Sequence, residues 1–532
     1  MTRPFHPILI ACYPVLFVVG ANISEVDLRE VGPALAAALA AAGVLFLVAR
    51  RIISDFQRAA LLASTALAVA FLHQTIVAWG ERTLRESVAE IWPEISMALE
   101  LGALAAAAVL LRRHPENAAL STRVVNAVAI VLVAFPMLEI ATFVAEDVAG
   151  GAAPRVREGS DPRPSAPLRL VAPDDPPDIY HIVLDGYARS DVLRDLFLHD
   201  NTEFVAGLES RGFFVAQDSL TNYQLTDLVL PTVLNFQYQE VVTAGMRRPR
   251  NTRPPLEMFE RNRVVDGLRG LGYRIVSISS GVERFRMHGA DEQLHFASGG
   301  LGPDGLLSVL VDMTPIGSLT DRVRFGGVAP GGRRRDQISW AIAQLGELAS
   351  QPGPKFVFAH IHSPHPPFVF GSDGVTIKMS NFRSYSQKQV RRVARAYREE
   401  VEAVNRRVME AVDRIQRDSL RSPVIVIHGD HGLRLFWKRW PQTTCLVESF
   451  AILNAYRLPG VAQDLLYDSI SPVNTFRVIF DSYFGTDLGL LPDRQYFATG
   501  RFGIYDFSDV TKRARSCTGV TPTEQGPVLL GR

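Results

Sequence analysis

The sequence predicts a two-part chain, in which a bundle of five membrane-spanning helices precedes an α/β sandwich with a mainly parallel sheet. Apolar residues are concentrated in the first 146 positions, although the mean hydropathy of the whole chain is only +0.09. After position 177, short apolar β-rich runs alternate with longer amphipathic stretches, a pattern typical of a mainly parallel sheet covered by helices. A chain of 532 residues also exceeds one compact core, so at least two units are expected.

Five apolar stretches in residues 1–146 are each close to the ~20 residues that a spanning helix needs. The alternative is a soluble helical bundle, but that requires polar faces at helical spacing, and runs such as Ala34–Val48 have none. The fourth stretch is the weakest because it contains Glu94 and Glu100, and an intramembrane carboxylate is costly unless it faces the bundle interior. The five predicted spans are Pro7–Ile23, Val31–Ala49, Ala59–Gly80, Trp92–Leu111 and Val124–Val144.

Basic residues in the short connections predict the orientation of this bundle, because such residues are retained on the cytoplasmic side. An N-terminus in the cytoplasm and five crossings would leave everything after Glu146 outside. The first stretch lacks a small-residue cleavage pattern and is expected to stay as an anchor. We therefore predict a multi-pass protein of the cell (inner or plasma) membrane with an extracytoplasmic C-terminal domain. The connections that carry the basic residues contain Arg50, Arg51 and Arg58, then Arg112, Arg113 and Arg123.

Residues 147–177 are predicted to be a linker, because Gly150–Pro177 is crowded with Gly, Pro, Ala and charged residues. The exported domain is then residues 178–532. Of the three cysteines, Cys12 lies in an apolar run, so one disulfide at most, Cys445–Cys517, is available to that domain. The sequence leaves open whether those two pair. The net charge of +1 gives no electrostatic argument for nucleic acid as a partner.

The exported domain contains apolar runs of strand type and amphipathic runs of helix type. The longest candidate helix, Lys388–Arg417, places valines and Tyr397 at helical spacing under a charged face. The other candidate helices are Leu256–Leu271 and Gln337–Ser350, and the candidate strands are Ile179–Leu184, Gly212–Ala216, Arg274–Ser277, Lys355–His360, Val424–His428 and Phe450–Leu453.

Acidic and imidazole side chains follow two of the apolar strands directly. Asp185 comes after Ile179–Leu184, and Asp430 and His431, flanked by glycines, come after Val424–His428. In open α/β sheets the reactive groups gather past the carboxyl ends of the strands. Carboxylates and imidazoles together suit a divalent ion that accepts oxygen and nitrogen ligands, zinc or manganese above all. The alternatives are a turn-forming Asp185 and a hydrogen-bonded structural His431.

A third segment, after the strand Lys355–His360, carries His360, His362 and His365 within six residues. Three histidines so close together at a strand end are unusual for surface positions. We expect His360 to be buried in the strand, and His365 could equally be held in its proline-rich loop by backbone hydrogen bonds. His428 could complete a second metal site or simply pack.

These segments, in this order, resemble the metal-binding pattern of the alkaline phosphatase and sulfatase superfamily. Asp185 after a strand, followed far downstream by Gly429-Asp430-His431-Gly432, is similar to the pattern of alkaline phosphatases, sulfatases, lipoteichoic acid synthase and lipid A phosphoethanolamine transferases. The last two also carry five spanning helices before an exported catalytic domain. The resemblance covers the whole chain in layout and about Asp178–Phe497 in motif order. It implies an alkaline phosphatase-like fold and an enzyme acting on phosphate or sulfate esters.

The resemblance also implies a nucleophile at a helix start between the two acidic segments. Thr226 stands where the membrane transferases carry a nucleophilic threonine, and it would be a further metal ligand in the resting state beside Asp185, Asp430 and His431. The alternative is an N-cap threonine with no catalytic role. Thr221 and Thr232 are the fallback candidates.

His365 lies in a segment similar to one in which the membrane transferases carry a histidine that meets the substrate phosphate. The expected role is donor to the phosphoryl oxygens or acid to the leaving group.

The sequence departs from the sulfatases at the nucleophile, since no Cys/Ser-x-Pro-x-Arg motif occurs around Thr226. Phosphate esters are therefore the favoured substrates. The leading hypothesis is a transferase that passes a phospho-substituent from a membrane lipid donor to a cell-envelope glycan or lipid acceptor. The alternatives are a sulfatase-like hydrolase or phosphodiesterase using the same site, and a non-catalytic binding module.

Overall fold

A computed structural model describes residues 3–529 of the chain, except 22, 24–27, 85–87, 89–90, 151–167, 240–252, 280–284, 297–305, 318–331, 372–376, 378, 380–384, 462–464 and 500–502. Most of the predicted linker therefore lies outside the described residues. The chain forms two compact units. One comprises residues 1–158 and 298–328, and the other comprises residues 159–297 and 329–532.

The first unit is helical. Among the described residues, four of its helices are long and apolar enough to cross a membrane, by length and composition. The first helix is apolar but only 16 residues long, so the count of five spans stays a prediction. The helices of this unit are α1 (His6–Ala21), α2 (Leu28–Ile52), α3 (Phe56–Thr83), α4 (Trp92–Arg113), α5 (Ala118–Gly150) and, much later in the chain, α11 (Leu306–Asp312).

Glu100, the carboxylate that made the fourth span the weakest prediction, faces the interior of the helical unit. It is 7% exposed, and its Oε2 lies 3.0 Å from Nδ1 of the buried His73 on α3. A polar partner inside the bundle is the condition under which a spanning helix tolerates such a group.

The second unit is built on a mixed seven-stranded sheet in the order β2-β7-β6-β1-β5-β3-β4. The pairings of β1 with β5 and β6, and of β3 with β4 and β5, are parallel, whereas β7 pairs antiparallel with β2 and β6. The strands of this sheet are β1 (Ile179–Leu184), β2 (Phe214–Val215), β3 (Arg274–Ser279), β4 (Glu292–His295), β5 (Lys355–Ile361), β6 (Val424–Gly429) and β7 (Asn454–Arg457).

Helices cover both faces of the sheet. Side chains alternate between the two faces along each strand, so each strand contributes to an apolar core on either side. Tyr180 and Ile182 of β1 face one apolar core, and Ile179 and Val183 face the other. The helices are α6 (Ser190–Phe197), α7 (Thr202–Glu209), α8 (Thr226–Asn235), α9 (Arg253–Glu260), α10 (Arg263–Gly270), α12 (Gly332–Glu347), α13 (Gln387–Asp418), α14 (Leu446–Phe450) and α15 (Thr475–Tyr483). Two small hairpins follow, β8 (Tyr496–Phe497) with β9 (Ser508–Asp509) and β10 (Val520–Thr521) with β11 (Val528–Leu529).

Two predicted elements differ from the structure. The predicted strand Phe450–Leu453 is wrong, since a short helix ends at Phe450 and the strand begins at Asn454. The predicted helix Leu256–Leu271 is two helices, because Asn262 ends the run and caps α10 by accepting a hydrogen bond of 2.9 Å from the Val265 amide. Cys445 and Cys517 form a disulfide, and Cys12 is free.

Candidate metal centre and nucleophile

The strand register brings the predicted acidic and imidazole residues to one edge of the sheet. Leu184 of β1 is aligned with Ile361 of β5 and with Gly429 of β6, and both pairings are parallel. The residue that follows each strand therefore emerges at the same edge. These residues are Asp185, His362 and Asp430.

Thr226 is the first residue of α8, and the extended Leu225 precedes it as the N-cap. Its hydroxyl is directed away from the helix. Oγ1 donates to Asp430 Oδ2 at 2.6 Å and lies 3.3 Å from His431 Nε2. The N-cap of α8 is therefore Leu225 and not Thr226, and the catalytic role of Thr226 stays a prediction.

Backbone contacts fix the carboxylate of Asp430 and the ring of His431. Asp430 Oδ1 accepts from the amides of Gly186 (3.0 Å) and His431 (2.9 Å). His431 Nδ1 lies 2.7 Å from the Gly432 carbonyl oxygen, which can only accept, so Nδ1 is the donor. The Nε2 lone pair of the neutral ring then faces Asp185 Oδ1 at 3.5 Å and Asp430 Oδ2 at 3.4 Å.

Glycines on either side of the Asp430-His431 pair allow close backbone approach. A Cβ at Gly429 would collide with the Tyr187 carbonyl oxygen, and a Cβ at Gly432 would collide with the Glu448 carbonyl oxygen. The turn after β6 therefore requires glycine at both positions.

The three histidines of the third segment surround Asp185. His360 is buried, as predicted, but its Nε2 lies 3.3 Å from Asp185 Oδ2, and His362 Nε2 lies 3.7 Å from the same oxygen. His365 Nδ1 donates to the Pro366 carbonyl oxygen at 2.7 Å. One ring atom of His365 falls within 4.8 Å of both Asp185 and His431.

Burial and neighbouring charges set the protonation of this cluster. Burial raises the pKa of Asp185, but the surrounding histidines, His365 first, outweigh it and hold that pKa well below its ordinary value. Burial, followed by the negative charge of Asp185, raises the pKa of Asp430. Burial lowers the pKa of His365 to about 4 and that of His431 to about 3, so both rings are neutral at pH 7.

The donor set fits a divalent metal ion. Two groups of three, Asp185/His365/His431 and Asp185/His360/Asp430, each place their ligand atoms within 4.8 Å of one another. Asp185 Oδ1 is buried and has no hydrogen-bond partner among the described residues. Carboxylate oxygens and an imidazole lone pair that converge without a proton between them repel one another unless a cation lies there. This mixture of donors is one that zinc and manganese accept.

The remaining candidates lie outside these two groups. His428 Nε2 lies 2.8 Å from Nε2 of the buried His181, and its Nδ1 donates to the Gly429 carbonyl oxygen, so His428 packs inside the sheet. Thr232 Oγ1 donates within α8 to the Leu228 carbonyl oxygen. Thr221 Oγ1 is buried with no hydrogen-bond partner among the described residues.

The sequence did not indicate the residues that hold the histidine segment in place. Glu400 of α13 accepts from Ser363 Oγ (2.8 Å) and from the amides of Val369 (2.8 Å) and Phe370 (2.9 Å). Arg334 of α12 donates to the His362 carbonyl oxygen at 2.7 Å. Glu400 and Arg334 come from helices that are distant in sequence from the histidine segment. Most charged residues on such helices face solvent, so the local sequence does not show that these two contact the site.

Arg434 contacts the backbone just before Thr226 and also affects the pKa values of two histidines of the site. Its guanidinium donates at 2.9 Å to the carbonyl oxygen of Gln224, two residues before Thr226. Its positive charge lowers the pKa of His365 and of His431, after burial. Arg434 itself has a φ of +61°, a conformation that is rare for a residue other than glycine and is often found at functional sites.

Comparison with known proteins finds likeness in structure but not in sequence. No protein-family model matches the chain, and no curated protein matches it. The C-terminal periplasmic domain of EcEptC from Escherichia coli is 11% identical, with a TM-score of 0.40 over 65% of this chain and 96% of that domain. A second structure of that domain is a complex with Zn.

Two further structures match at similar levels. The C-terminal periplasmic domain of phosphoethanolamine transferase EptC from Campylobacter jejuni is 10% identical, with a TM-score of 0.37 over 59% of this chain and 92% of that one. A protein in the alkaline phosphatase superfamily from Vibrio parahaemolyticus is 12% identical, with a TM-score of 0.38 over 69% and 87%.

Proposed function

We propose that the chain is a metal-dependent transferase that moves a phospho-substituent from a membrane lipid donor to a cell-envelope glycan or lipid, with Thr226 as the nucleophile. The observation that carries this proposal is the position of the Thr226 hydroxyl. It lies at a helix N-terminus, 2.6 Å from Asp430 Oδ2 and 3.3 Å from His431 Nε2. A helix N-terminus favours an anionic substrate beside the attacking oxygen.

Asp185, Thr226, Asp430 and His431 are the proposed ligands of a divalent ion, zinc or manganese. When bound, such an ion polarises a phosphoryl oxygen and lowers the pKa of a neighbouring hydroxyl. The neutral state of His431 supports this assignment, because its Nε2 lone pair is free to bind a cation.

In the first half-reaction Thr226 Oγ1 forms a bond to phosphorus while the bond from phosphorus to the donor's leaving oxygen breaks. The hydroxyl proton passes to Asp430 Oδ2, the atom to which it already donates, and the departing donor oxygen takes a proton from water and leaves as an alcohol. In the second half-reaction an acceptor hydroxyl attacks the phosphothreonine and gives up its proton to a base. The bond to Oγ1 breaks, and Thr226 regains the proton held by Asp430.

His365 is the proposed proton carrier for the acceptor. Its Nδ1 lies 2.7 Å from the Pro366 carbonyl oxygen and 2.9 Å from His362 Nε2. The carbonyl oxygen can only accept, and with the proton on Nδ1 the neutral ring presents an unprotonated Nε2. That atom can take the proton of the attacking hydroxyl. The roles predicted from sequence, donor to the phosphoryl oxygens or acid to the leaving group, require a second proton on the ring, which it can acquire in that step.

The membrane half supports a lipid donor, and the disulfide supports export. Helices long and apolar enough to cross a membrane support a location beside lipid substrates. The Cys445–Cys517 disulfide is of a kind that persists in oxidising compartments outside the cytoplasm. We propose five spans with a cytoplasmic N-terminus, an arrangement that leaves the metal centre on the extracytoplasmic side.

Intact-mass measurement of the full chain, incubated with a membrane lipid extract and no acceptor, tests the proposal. We expect a mass increase that a peptide map assigns to Thr226 and that Thr226→Ala lacks. Persistence of this adduct until an acceptor is added identifies a transferase. Release of the group to water without acceptor identifies a hydrolase or phosphodiesterase, and a chain that binds metal but gains no mass under any donor is a non-catalytic module.

A further inference from the structure

Helix α11 follows β4 and precedes α12 in the sequence, yet it packs with α1 and α2. Leu306 and Leu310 are 4% and 5% exposed, and they share an apolar cluster with Val15, Ala34 and Ala38 of those helices. The sequence-based boundaries placed this segment inside the exported domain. The chain therefore leaves the sheet unit, joins the helical unit, and returns to the sheet unit.

A polar contact fixes the start of this helix. The Leu306 amide donates to the Glu30 carboxylate in the first turn of α2. The first amides of a helix lack partners within it, so the side chain of Glu30 satisfies a donor that would otherwise be unpaired. Arg50 and Arg51 lie at the opposite end of α2. In the proposed orientation Glu30 and α11 are at the extracytoplasmic end of the helix.

On the other side of the same segment two apolar side chains are exposed, with the exposed Asp312 between them. Val309 is 45% exposed and Ile316 is 61% exposed. Nearer the end of α2 that carries Arg50 and Arg51, Val44 and Leu47 are 60% and 66% exposed, as expected for side chains that face lipid. Burial of two leucines contributes roughly 1.5–3 kcal/mol each to holding this short helix against the bundle.

We propose that residues 306–317 bind the outer leaflet of the membrane through Val309 and Ile316, at the boundary between headgroups and acyl chains. Exposed apolar side chains beside the extracytoplasmic ends of spanning helices meet the same lipid that those helices meet, and a charged residue between them can stay at the level of the headgroups.

Spin labels on the full chain test this inference without any measurement of turnover. In a Cys12→Ser background, single cysteines at Val309→Cys and Ile316→Cys are labelled with a nitroxide. Cys445 and Cys517 are bonded to each other and do not react. The protein is placed in vesicles of phosphatidylethanolamine and phosphatidylglycerol, and collision rates with oxygen and with an aqueous nickel chelate are measured. Val131→Cys and Leu420→Cys, at positions 68% and 73% exposed, are the controls for lipid and for water.

We expect the ratio of oxygen to nickel collisions at both test positions to exceed that of Leu420→Cys several-fold and to approach that of Val131→Cys. Adding Leu310→Asp, which should release α11 from the bundle, is expected to return the Ile316→Cys label to the ratio found in water. Ratios equal to that of Leu420→Cys would overturn the proposal. Low collision rates with both reagents would also overturn it, since they indicate burial against protein. Neither result depends on the catalytic proposal.

Discussion

At the scale of single residues, the hydrogen-bond partner of the Thr226 hydroxyl shows whether this threonine is the N-cap of α8. An N-cap threonine directs its oxygen to the amides of its own helix, whereas Thr226 is one residue inside the helix and donates to Asp430. A threonine near the start of a helix is consistent with both an N-cap and a nucleophile, so the local sequence does not distinguish them. The hydrogen bond to Asp430, 204 positions away in the sequence, is evidence against the N-cap role, and the catalytic role stays a prediction.

Thr226→Ala is expected to abolish turnover while metal content and folding stay nearly unchanged. Covalent catalysis has no second route once the oxygen is lost, but Asp185, Asp430 and His431 remain as ligands. Thr226→Ser should keep partial activity, since it keeps the oxygen. Thr221→Val is the matched control, because the Thr221 hydroxyl is buried without a partner among the described residues and its removal costs little. Full activity of Thr226→Ala in a steady-state assay would place the nucleophile elsewhere.

Asp185→Asn is expected to weaken metal binding by more than the roughly 10–100-fold that loss of an outer partner costs. Asp185 belongs to both groups of converging donors, so the substitution removes a negative charge from both groups. Metal content after dialysis against a graded series of chelator concentrations measures the effect. Asp191→Asn, at a carboxylate paired with Arg189, should retain the metal. Equal retention by the two variants would remove Asp185 from the ligand set.

At the scale of elements, the strands that carry the site were predictable and their supports were not. β1, β5 and β6 are buried along their whole length, and such strands read as continuous apolar runs. Their predicted bounds are confirmed to within one residue. The run Phe450–Leu453 is equally apolar, but a short apolar run fits a buried helix end as well as a strand. The contacts of Glu400 join elements that are far apart in sequence, and the hydrophobic periodicity of a segment does not predict such contacts.

Glu400→Ala is expected to lower both stability and turnover. It leaves the amides of Val369 and Phe370 without their acceptor, and each unpaired buried donor costs about 1–3 kcal/mol. The segment that carries His365 would then lose its fixed geometry. Urea unfolding and kcat/KM together measure the effect, with Glu400→Gln expected to recover part of the turnover.

Glu402→Ala is the matched control, since Glu402 is on the same helix and its side chain is 53% exposed. It should leave turnover unchanged. A loss of turnover as large as that of Glu400→Ala would mean that the effect comes from the helix rather than from the histidine segment.

Glu448 makes stability depend on pH through the loop that follows His431. Burial raises its pKa to about 7, against the opposing backbone hydrogen bonds of Leu435 and Phe436 and the charge of Arg434. The folded pKa lies above the ordinary value of 4.5, so the contribution of Glu448 is full below pH 4.5 and is lost as pH rises through 7. The loss is about 3 kcal/mol by the conversion of 1.36 kcal/mol per pKa unit.

Glu448→Gln stays neutral at every pH and should abolish that dependence. The comparison is the free energy of unfolding in urea of the wild type minus that of the variant, at pH 5 and at pH 8. We expect the difference to fall by about 2.5 kcal/mol between the two values, since part of the contribution is already lost at pH 5. A difference that is constant with pH would show that Glu448 keeps its ordinary pKa.

At the scale of the whole molecule, the boundary of the exported part is set by packing on the sheet rather than by composition. Leu168 and Leu170, inside the predicted linker, pack against the core that contains Phe484 and α10. A Cβ at Gly267 would press on both leucines, so this glycine leaves the space that they fill. The segment of residues 298–328 belongs with the helical unit instead.

A fragment of residues 168–532 in which a short Gly-Ser linker replaces 298–328 is therefore expected to be soluble and to unfold cooperatively in urea. The same fragment begun at Asp178 should be less stable by roughly 2 kcal/mol, since it lacks the partly buried side chains of Leu168 and Leu170. A fragment that keeps 298–328 should aggregate, because Leu306 and Leu310 lose the helices that cover them. Equal stability of the fragments begun at 168 and 178 would return the boundary to Asp178, where the composition of the linker alone had placed it.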